Sequence, residues 1–299
     1  MAENPYIQAA QVLPVHMRKR LLSMDEEIGD RAEEIRLRKG GAVTVLLGGE
    51  ELPLEGHAVT EEDLRTVLEQ ASGASAHAVL DQVGAGFVTI KGGHRIGLCG
   101  EAVMRDGRIH TLTRLSSLAI RIARPISGLG VQLLPGLMGG GRLCSTLILA
   151  PPGAGKTTLL RDLIRTVSDG EAGVSLRVGV ADDRGEIAAV WEGTPQLDVG
   201  RRTDVISGCP KGQGLQLLLR GMNPQVLAVD EITAEEDVEA ITWASGCGVK
   251  LLATARGAGM EDLATRPLYR RMLSLNLFQW VLLVERRGEC RCWRAEVLI

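Results

Sequence analysis

A glycine-rich loop between an apolar stretch and a helical stretch holds the residues with the clearest chemistry. The apolar residues Ile148-Leu149-Ala150 lead into a turn rich in Pro and Gly, and this turn ends in Lys156 and Thr157. In such a loop, backbone N–H groups converge on phosphate oxygens, and the positive end of the following helix attracts the same anion. We predict a phosphate-binding loop (P-loop) that contacts a nucleotide through Pro151, Pro152, Gly153, Ala154, Gly155, Lys156, Thr157 and Thr158.

Two side chains of this loop predict ATP and Mg²⁺ as the ligands. Lys156 would reach the β and γ phosphates as a point charge, and the Thr157 hydroxyl would complete the coordination of Mg²⁺. The general pattern GxxxxGK[ST] has Gly where this chain has Ala150. That position lies at the entrance of the loop, furthest from the γ phosphate, so we expect a methyl group to be tolerated there. The alternative is an ordinary glycine-rich turn.

A pair of acidic residues supplies what a P-loop alone lacks, because nucleotide binding does not imply hydrolysis. Asp230 and Glu231 follow the apolar stretch Val226–Val229. An acid at the carboxyl end of a parallel strand next to the P-loop strand can hold Mg²⁺, and a second acid can orient the attacking water. We therefore assign Asp230 to the metal and Glu231 to catalysis. The alternative is a pair of acids that caps the helix beginning near Thr233.

Thr254 and several arginines complete the candidate catalytic set. Thr254 ends a third apolar strand, and we assign its hydroxyl to the attacking water, with a plain strand-end Thr as the alternative. Phosphoryl transfer builds negative charge on the γ oxygens, which arginines of the same or a neighbouring subunit neutralise. We assign Arg220 to catalysis, and for it as for Arg184, Arg201 and Arg202 an exposed ion pair is the alternative. The further candidate arginine sensors are Arg121, Arg124, Arg184, Arg201, Arg202 and Arg256.

Length and composition set the frame into which these residues must fold. The chain has 299 residues, of which 45% are hydrophobic and 24% are charged, and its net charge is −3. These values predict a globular protein of about two domains, and they exclude a mostly disordered chain, a collagen-like chain and a disulfide-stapled miniprotein. The nearly neutral charge argues against a nucleic-acid binder of overall basic character. Because we find neither an export signal nor an apolar run of ~18 residues, we expect a cytosolic protein.

The pattern of elements predicts an α/β chain with two domains of different texture. Short strands and helices alternate over residues 1–125, as in a small α+β domain, and residues 126–144 form a connector that the triplet Gly139–Gly141 makes flexible. From 145 to 299 the pattern is βαβα, with apolar strands typical of a parallel sheet covered on both faces. The predicted strands are Thr146–Leu149, Leu176–Val180, Val226–Val229 and Lys250–Ala253, with helices over 156–168, 210–221 and 235–245.

Motifs outside the P-loop give the chain a specific resemblance. They are Glu33-Glu34-Ile35-Arg36-Leu37-Arg38, the segment 86–97 (GFVTIKGGHRIG), Asp183-Arg184-Gly185-Glu186-Ile187, Arg202-Thr203-Asp204-Val205, Cys209-Pro210-Lys211 and Asn223-Pro224-Gln225-Val226. Together with the P-loop and the acid pair, they resemble the stage III sporulation protein AA family of endospore-forming bacteria over nearly the whole chain. That family is similar to the secretion traffic ATPases of type II, type IV and pilus systems. The resemblance implies a C-terminal RecA-like P-loop ATPase domain with a smaller α+β N-terminal domain, in homo-oligomeric rings that are usually hexameric.

The resemblance also implies a place in the cell. It implies a mother-cell ATPase at the cytosolic face of the channel that links mother cell and forespore. Its partners would be membrane proteins of the same sporulation operon, and the chain itself would not insert into the membrane. Secretion ATPases usually carry His two residues after the Thr of the third strand, where this chain has Arg256. A guanidinium cannot shuttle a proton as an imidazole does, so Arg256 would be an electrostatic sensor or lie outside the site.

The leading hypothesis is therefore an oligomeric ATPase that couples MgATP hydrolysis to movement of its N-terminal domains and so energises or assembles a transmembrane secretion-like complex. In the ring, Arg121 or Arg124 could reach the neighbour's nucleotide. One alternative is an ATPase linked to nucleic acid, like plastid and cyanobacterial relatives with an added single-strand-binding domain. We expect no such domain and no nucleic-acid partner, because the chain ends at Ile299 soon after the motor. The other alternative is a nucleotide-gated scaffold with negligible turnover.

Overall fold

An antiparallel sheet of six strands frames the first of two compact units in the computed structural model, which describes residues 4–71, 86–171, 173, 175–287 and 290–298. The strands are β1 (Glu34–Arg38), β2 (Thr44–Leu47), β3 (Glu50–Pro53), β4 (Phe87–Thr89), β5 (Arg95–Arg105) and β6 (Arg108–Arg121). They are ordered β3-β2-β1-β6-β5-β4, and each is antiparallel to its neighbours. The helices are α1 (Pro5–Ala9), α2 (Val15–Leu22), α3 (Glu26–Arg31) and α4 (Glu61–Ala71), with 3₁₀ turns at Ala10–Val12 and Lys91–Gly93.

The core of this unit lies between the helices and one face of the sheet. Ile35 of β1 and Ile120 of β6 are paired in register and fully buried, and Leu64 of α4 belongs to the same cluster. α4 begins with a reciprocal cap, in which the Thr60 hydroxyl donates to the Asp63 carboxylate at 2.7 Å and the Asp63 N–H donates back to that hydroxyl at 3.2 Å. The cap satisfies the first turn of α4 and fixes where it starts over the core.

Buried His94 holds the end of β6 in place. The Ala123 N–H donates to His94 Nδ1 at 3.1 Å, so this ring nitrogen carries no proton of its own and the imidazole is neutral. Burial, together with the nearby charge of Arg124, lowers the pKa of His94 to about 4. His94 is therefore a structural residue of the first unit.

The second half of the chain contributes a short hairpin to the first unit. The unit consists of Met1–Arg124 together with Ala189–Gln196. The added segment forms β11 (Val190–Trp191) and β12 (Thr194–Pro195), as numbered along the chain, and the Gln196 side chain accepts a hydrogen bond from the Gly92 N–H at 2.9 Å. The sequence predicts an uninterrupted C-terminal domain from 145, and the structure differs here because this hairpin packs on the Lys91–Gly93 turn.

A seven-stranded sheet organises the second unit, which consists of Pro125–Ala188 and Leu197–Ile299. Its strands are β9 (Thr146–Ala150), β10 (Val178–Asp182), β13 (Thr203–Ser207), β14 (Val226–Val229), β15 (Lys250–Arg256), β16 (Trp280–Arg287) and β17 (Cys290–Val297), and a separate small hairpin joins β7 (Met138–Gly139) to β8 (Arg142–Leu143). The helices are α5 (Leu129–Leu133), α6 (Lys156–Asp169), α7 (Lys211–Gly221), α8 (Glu235–Gly246), α9 (Met260–Thr265) and α10 (Pro267–Ser274), with a 3₁₀ turn at Leu134–Leu137. Of the helices within the described ranges, none has the length and apolarity needed to cross a bilayer.

The order of the strands corrects one expectation. The sheet runs β13-β10-β14-β15-β9-β16-β17, and all neighbours are parallel except β16 and β17. The strand that leads to Asp230, β14, was expected next to the P-loop strand β9, but β15 lies between them. Leu252 of β15 pairs with Thr146 on one side, and Lys250 pairs with Val226 on the other. Periodicity identifies each strand but not which strands pair, so the sequence pattern could not supply this order.

The predicted connector is an ordered part of the second unit. The Gly130 N–H of α5 donates to the buried Asp162 carboxylate of α6 at 2.7 Å. A Cβ at Gly130 would lie 2.6 Å from the Asp162 carbonyl oxygen, so only glycine permits this close approach. Gly140 and Gly141, with φ of 57° and 76°, form the turn between β7 and β8. The glycine triplet therefore supplies the end of β7 and the turn of a hairpin, and its flexibility stays a prediction.

Candidate active site

The P-loop lies between a fully buried strand and the longest helix of the second unit. β9 ends at Ala150, residues 151–155 form the loop, and α6 begins at Lys156. Gly153 and Gly155 have φ of 75° and 91°, in the left-handed region that favours glycine. At Gly153 nothing lies within 4 Å of an added Cβ, so the backbone conformation requires glycine there and the available space does not. The two glycines thus turn the chain from the strand into the helix.

The structure explains why Ala150 is tolerated where the general P-loop pattern has glycine. It is the last residue of β9, fully buried, and it pairs in register with Arg256 of β15. Its carbonyl oxygen accepts a hydrogen bond from the Gly257 N–H at 3.1 Å. Because Ala150 continues an ordinary extended strand, its backbone does not require glycine.

The start of α6 has the properties of an anion site. The first N–H groups of any helix lack partners within the helix, and the helix dipole places partial positive charge at the same end. The preceding residue, Gly155, has no side chain with which to cap these groups. Lys156 adds a full positive charge at the first position of the helix. The first N–H groups of α6 and the Lys156 ammonium group therefore both favour binding of a negatively charged group at the start of this helix.

Asp230 joins the P-loop helix to the neighbouring strand ends. It follows β14, and only 7% of its surface is exposed. One carboxylate oxygen accepts a hydrogen bond from the Thr157 hydroxyl at 2.6 Å, and the other accepts one from the Thr254 hydroxyl at 2.5 Å. The two residues predicted to hold Mg²⁺ are thus in direct contact. A hydroxyl and a carboxylate are hard oxygen donors, which fit this ion at the point where the P-loop meets β14.

Glu231 lies beside Asp230 in an unusual backbone conformation. Its φ is 53°, in the left-handed region, which is uncommon for a residue with a side chain. Its N–H donates to the Thr254 hydroxyl oxygen at 2.7 Å, and its carbonyl oxygen accepts a hydrogen bond from Lys211 Nζ at 2.7 Å. Thr254 therefore contacts both acids, donating to Asp230 and accepting from Glu231. In this arrangement its hydroxyl positions the acidic pair.

Two of the predicted arginine sensors contact the Glu231 carboxylate. Arg256 lies 2.6 Å from one oxygen, and Arg184 lies 4.0 Å from the other. Of the two places that the sequence leaves open for Arg256, the structure shows the one beside the acidic pair, where Arg256 is an ion-pair partner of Glu231. The permanent positive charges of Arg256 and Arg184 therefore attract the two oxygens of the Glu231 carboxylate.

Three other candidate arginines of the second unit do not join this cluster within one chain. Arg220 is in the last turn of α7, with its guanidinium 5.6 Å from the centre of the Trp243 ring. Arg201 pairs with Asp169 at 3.3 Å, and the Arg202 N–H donates to the Ser168 hydroxyl at 2.6 Å. Both contacts lie at the end of α6, roughly 20 Å along the helix from Lys156.

The remaining two candidate arginines belong to the first unit and have partners there. Arg121 forms an ion pair with Glu34 at 3.0 Å, although its side chain is 69% exposed. The guanidinium of Arg124 donates to the carbonyl oxygens of Gly29 and Ala32 at 2.7 and 3.0 Å. Arg124 is thus part of the internal structure of the unit, whereas Arg121 keeps an accessible charge.

Sequence reasoning places acids at a neighbouring strand end but gives no role to the buried aspartate there. Asp182 ends β10, is 2% exposed, and accepts hydrogen bonds from the N–H groups of Glu186, Ile187 and Ala188 at 2.8 to 3.2 Å. Burial raises the pKa of Asp182, and these hydrogen bonds oppose the rise. Its position at a strand end, directly before the motif at 183–187, was the available signal. Asp182 gives the loop after β10 a fixed shape.

Arg161 of α6 holds the same loop from the opposite side. Its guanidinium donates to the Ile187 and Glu186 carbonyl oxygens at 2.5 and 2.7 Å. Burial lowers the pKa of Arg161, and the nearby charges of Asp182 and Asp230 oppose that effect. The helix that follows the P-loop is therefore linked directly to the loop after β10. A charged residue on a helix gives no sequence signal of such a contact.

The chain is similar to proteins of one sporulation family along nearly its whole length. The family model described as "Sporulation stage III, protein AA" matches residues 4–294. Stage III sporulation protein AA of Bacillus subtilis (strain 168) is 38% identical over 280 residues, which cover 93% of this chain and 91% of that protein.

Two solved structures share the fold. The pilus retraction motor PilT with bound ADP matches at a TM-score of 0.62 and 17% identity, covering 92% of this chain and 81% of that chain. The Legionella pneumophila ATPase DotB matches at a TM-score of 0.58 and 14% identity, covering 95% of this chain and 80% of that chain. These matches confirm the predicted α/β fold with a RecA-like P-loop domain.

Proposed function

The chain belongs to the sporulation stage III protein AA family, and on that premise we propose that it hydrolyses MgATP and uses the energy to drive or assemble the channel between mother cell and forespore. The observation that carries this proposal is the hydrogen-bonded series from Thr157 through Asp230 and Thr254 to Glu231. It connects the P-loop helix with both acids, at the edge where a nucleotide's phosphates would meet them.

The P-loop is suited to grip the triphosphate. The N–H groups at the start of α6 and the Lys156 ammonium bind phosphate oxygens, and the left-handed glycines keep the loop amides free of side chains. Bound at Thr157 and Asp230, Mg²⁺ would neutralise part of the phosphate charge. These groups bind and orient the substrate.

In this proposal Glu231 acts on the attacking water. The water oxygen forms a bond to the γ phosphorus while the bond to the β–γ bridging oxygen breaks, which yields ADP and phosphate. The Glu231 carboxylate orients this water and can accept its proton. Because Arg256 pairs with the same carboxylate at 2.6 Å, Glu231 must give up or share this contact to reach the water. Once Glu231 has released it, the Arg256 guanidinium can stabilise the negative charge that develops on the phosphate oxygens in the transition state.

Assembly into a ring would bring further arginines to the site. Arg121 is the strongest candidate to act on a neighbouring subunit, because its side chain is largely exposed while that of Arg124 is engaged by carbonyl groups. We propose a homo-oligomeric ring, with six subunits as the expected number. Membrane proteins of the sporulation channel would bind it at the cytosolic face of the mother-cell membrane.

The decisive experiment compares wild type with Glu231→Gln. We expect the variant to bind ATP as wild type does and to hydrolyse it about 1000-fold more slowly, because the amide cannot accept the water's proton. Nucleotide binding, phosphate release and size in solution with and without MgATP are the measurements. We expect MgATP to shift the variant to a larger assembly.

The matched control is Glu235→Gln, which removes an exposed carboxylate of α8 that pairs with Arg271. Its turnover should equal that of wild type. Equal turnover in wild type and Glu231→Gln would remove Glu231 from catalysis.

One observation favours a second candidate function, a nucleotide-gated scaffold. The ion pair between Arg256 and Glu231 occupies the carboxylate that hydrolysis needs, so a chain that rarely breaks it would bind ATP with little turnover. ATP-dependent assembly of wild type without measurable phosphate release would support the scaffold. Turnover that disappears in Glu231→Gln would support the ATPase.

A further inference from the structure

We propose that Lys211 is a positioning residue for Glu231: its ammonium group fixes the main chain in the conformation that aims the carboxylate at the attacking water. The inference rests on the proposed function, because Lys211 would serve the same site. Lys211 belongs to the Cys209-Pro210-Lys211 motif, for which the mechanism above gives no role.

The backbone on both sides of Glu231 is held by specific contacts. On the N-terminal side, its N–H donates to the Thr254 hydroxyl oxygen at 2.7 Å. On the C-terminal side, Lys211 Nζ donates to its carbonyl oxygen at 2.7 Å. The first contact holds the peptide before Glu231. Lys211 holds the peptide after it together with the Ile232 N–H, which donates to the Thr254 carbonyl oxygen at 2.9 Å. These contacts hold φ and ψ at a residue whose left-handed conformation is strained.

The placement of Lys211 opposes ordinary helix preferences. It is the first residue of α7, where the helix dipole disfavours positive charge, and it is only 5% exposed. Two carboxylates offset this cost, with Asp183 at 3.7 Å and Asp237 at 3.9 Å from Nζ. A buried cation in an unfavourable place, with its shortest contact to the main chain of Glu231, indicates a functional constraint.

α7, which begins with Lys211, and α8 also pack together through contacts that do not involve Lys211. Leu215 and Leu218 of α7 and Val238 and Ile241 of α8 are buried in the same hydrophobic cluster. Asp237 also caps α8 without Lys211, because it accepts hydrogen bonds from the N–H groups at 233 and 234 at 3.0 and 3.1 Å. The apolar contacts and the cap can hold α7 and α8 while Lys211 serves Glu231.

The test compares Lys211→Met with wild type in the full chain by two measurements. Amide hydrogen exchange at Glu231 and Ile232 reports whether the main chain is still held. We expect exchange at both amides to be at least ~10-fold faster in Lys211→Met. We also expect kcat for ATP to fall about 100-fold while KM changes less than about threefold, because Lys211 does not touch the nucleotide site.

Two further comparisons separate positioning from a general loss of structure. Arg271→Met, which removes an exposed ion pair between α10 and α8, should leave exchange and turnover unchanged. Adding Lys211→Met to Glu231→Gln should cause no further loss of turnover, because the carboxylate to be positioned is already gone. If Lys211→Met does not fold, Lys211→Gln, which is polar but shorter, decides by the same measurements.

Unchanged exchange at Glu231 and Ile232 would overturn the proposal, as would faster exchange confined to the first turns of α7 and α8. Unchanged kcat in a variant with faster exchange at Glu231 would overturn it too. If wild type does not hydrolyse ATP, the proposed function fails, whereas the exchange measurement still decides whether Lys211 holds Glu231.

Discussion

The ion pair of Arg38 with Glu51 runs across an exposed sheet surface in the first unit, whereas those of Glu231 and Lys211 lie at the carboxyl ends of parallel strands in the second unit. In the first unit, Arg38 of β1 donates to Glu51 of β3 at 2.5 Å, and this hydrogen bond is the main reason that the pKa of Glu51 is lowered to about 2. In the second unit, the charges of Asp230, Glu231 and Lys211 are mostly shielded from solvent. These acidic and basic side chains are therefore exposed to solvent on the sheet of the first unit and largely buried at the strand ends of the second.

The difference follows from strand direction. In an antiparallel sheet, successive strands end at opposite edges, so charged side chains spread over the face and pair while exposed to water. In a parallel sheet, the ends with the same direction share one edge, so residues distant in sequence gather there. Exposed pairs contribute little to stability, whereas gathered and desolvated charges interact strongly with a ligand.

The largest effect should come from replacing one acid in each setting. We expect Asp230→Asn to lower ATP turnover about 1000-fold, because it weakens the oxygen pair that would hold Mg²⁺. Glu51→Gln, the exposed counterpart in the first unit, should leave turnover unchanged. Steady-state phosphate release of the two variants is the measurement. Equal turnover in both would mean that the gathered acids do no chemistry.

A buried histidine should give the first unit a pH dependence that its exposed ion pairs do not explain. The pKa of His94 is lowered to about 4 by burial, below its ordinary value of about 6.5. The unfolded chain binds a proton there before the folded chain does, so stability falls as pH decreases from about 6.5 to about 4. The expected loss is about 3 kcal/mol. Protonation of Nδ1 would also abolish the hydrogen bond from Ala123.

Unfolding of the full chain in urea between pH 7 and pH 4 checks this prediction. His94→Asn, whose side-chain oxygen can still accept a hydrogen bond but does not titrate, should show a much flatter pH dependence. The same slope in wild type and variant would assign the acid sensitivity to other groups.

The smallest expected effect is that of Arg121→Ala. This variant tests whether an exposed charge of the first unit takes part in the chemistry of a neighbouring subunit. We expect Arg121→Ala to lower turnover about 100-fold under conditions that permit assembly, by removing a positive charge from the neighbour's transition state. Arg105→Ala, which removes another exposed arginine of the same sheet, is the control. Full turnover and full assembly in Arg121→Ala would exclude that role.

Local pattern was sufficient for the parts of the site that lie within one segment. The P-loop glycines, Lys156 and the pair Asp230 and Glu231 are predicted site residues because each group follows an apolar strand, and the structure brings Thr157 and Asp230 into contact. Thr254 was found for the same reason, although its hydroxyl contacts the two acids and the prediction assigned it to water.

Contacts between distant segments could not be read from the sequence. The placement of β15 between β9 and β14 depends on which strands pair, and the apolar strands of a covered parallel sheet are alike in composition. The role of Lys211 depends on a carbonyl oxygen, which every residue has. Similarly, the glycine triplet predicted to be flexible forms the end of β7 and the turn of a hairpin, and glycine is common both in flexible connectors and in turns.

The hairpin at 189–196 affects how this protein could be divided. Its backbone is continuous with the second unit at Ala188 and Leu197, whereas Gln196 bonds to Gly92 of the first. A fragment that begins at Pro125 would contain the hairpin but not the Lys91–Gly93 turn on which it packs. The complementary fragment would contain this turn without the hairpin. Recombination at residue 125 would separate the same pair. Exchange of the N-terminal half between relatives would therefore have to include this short segment.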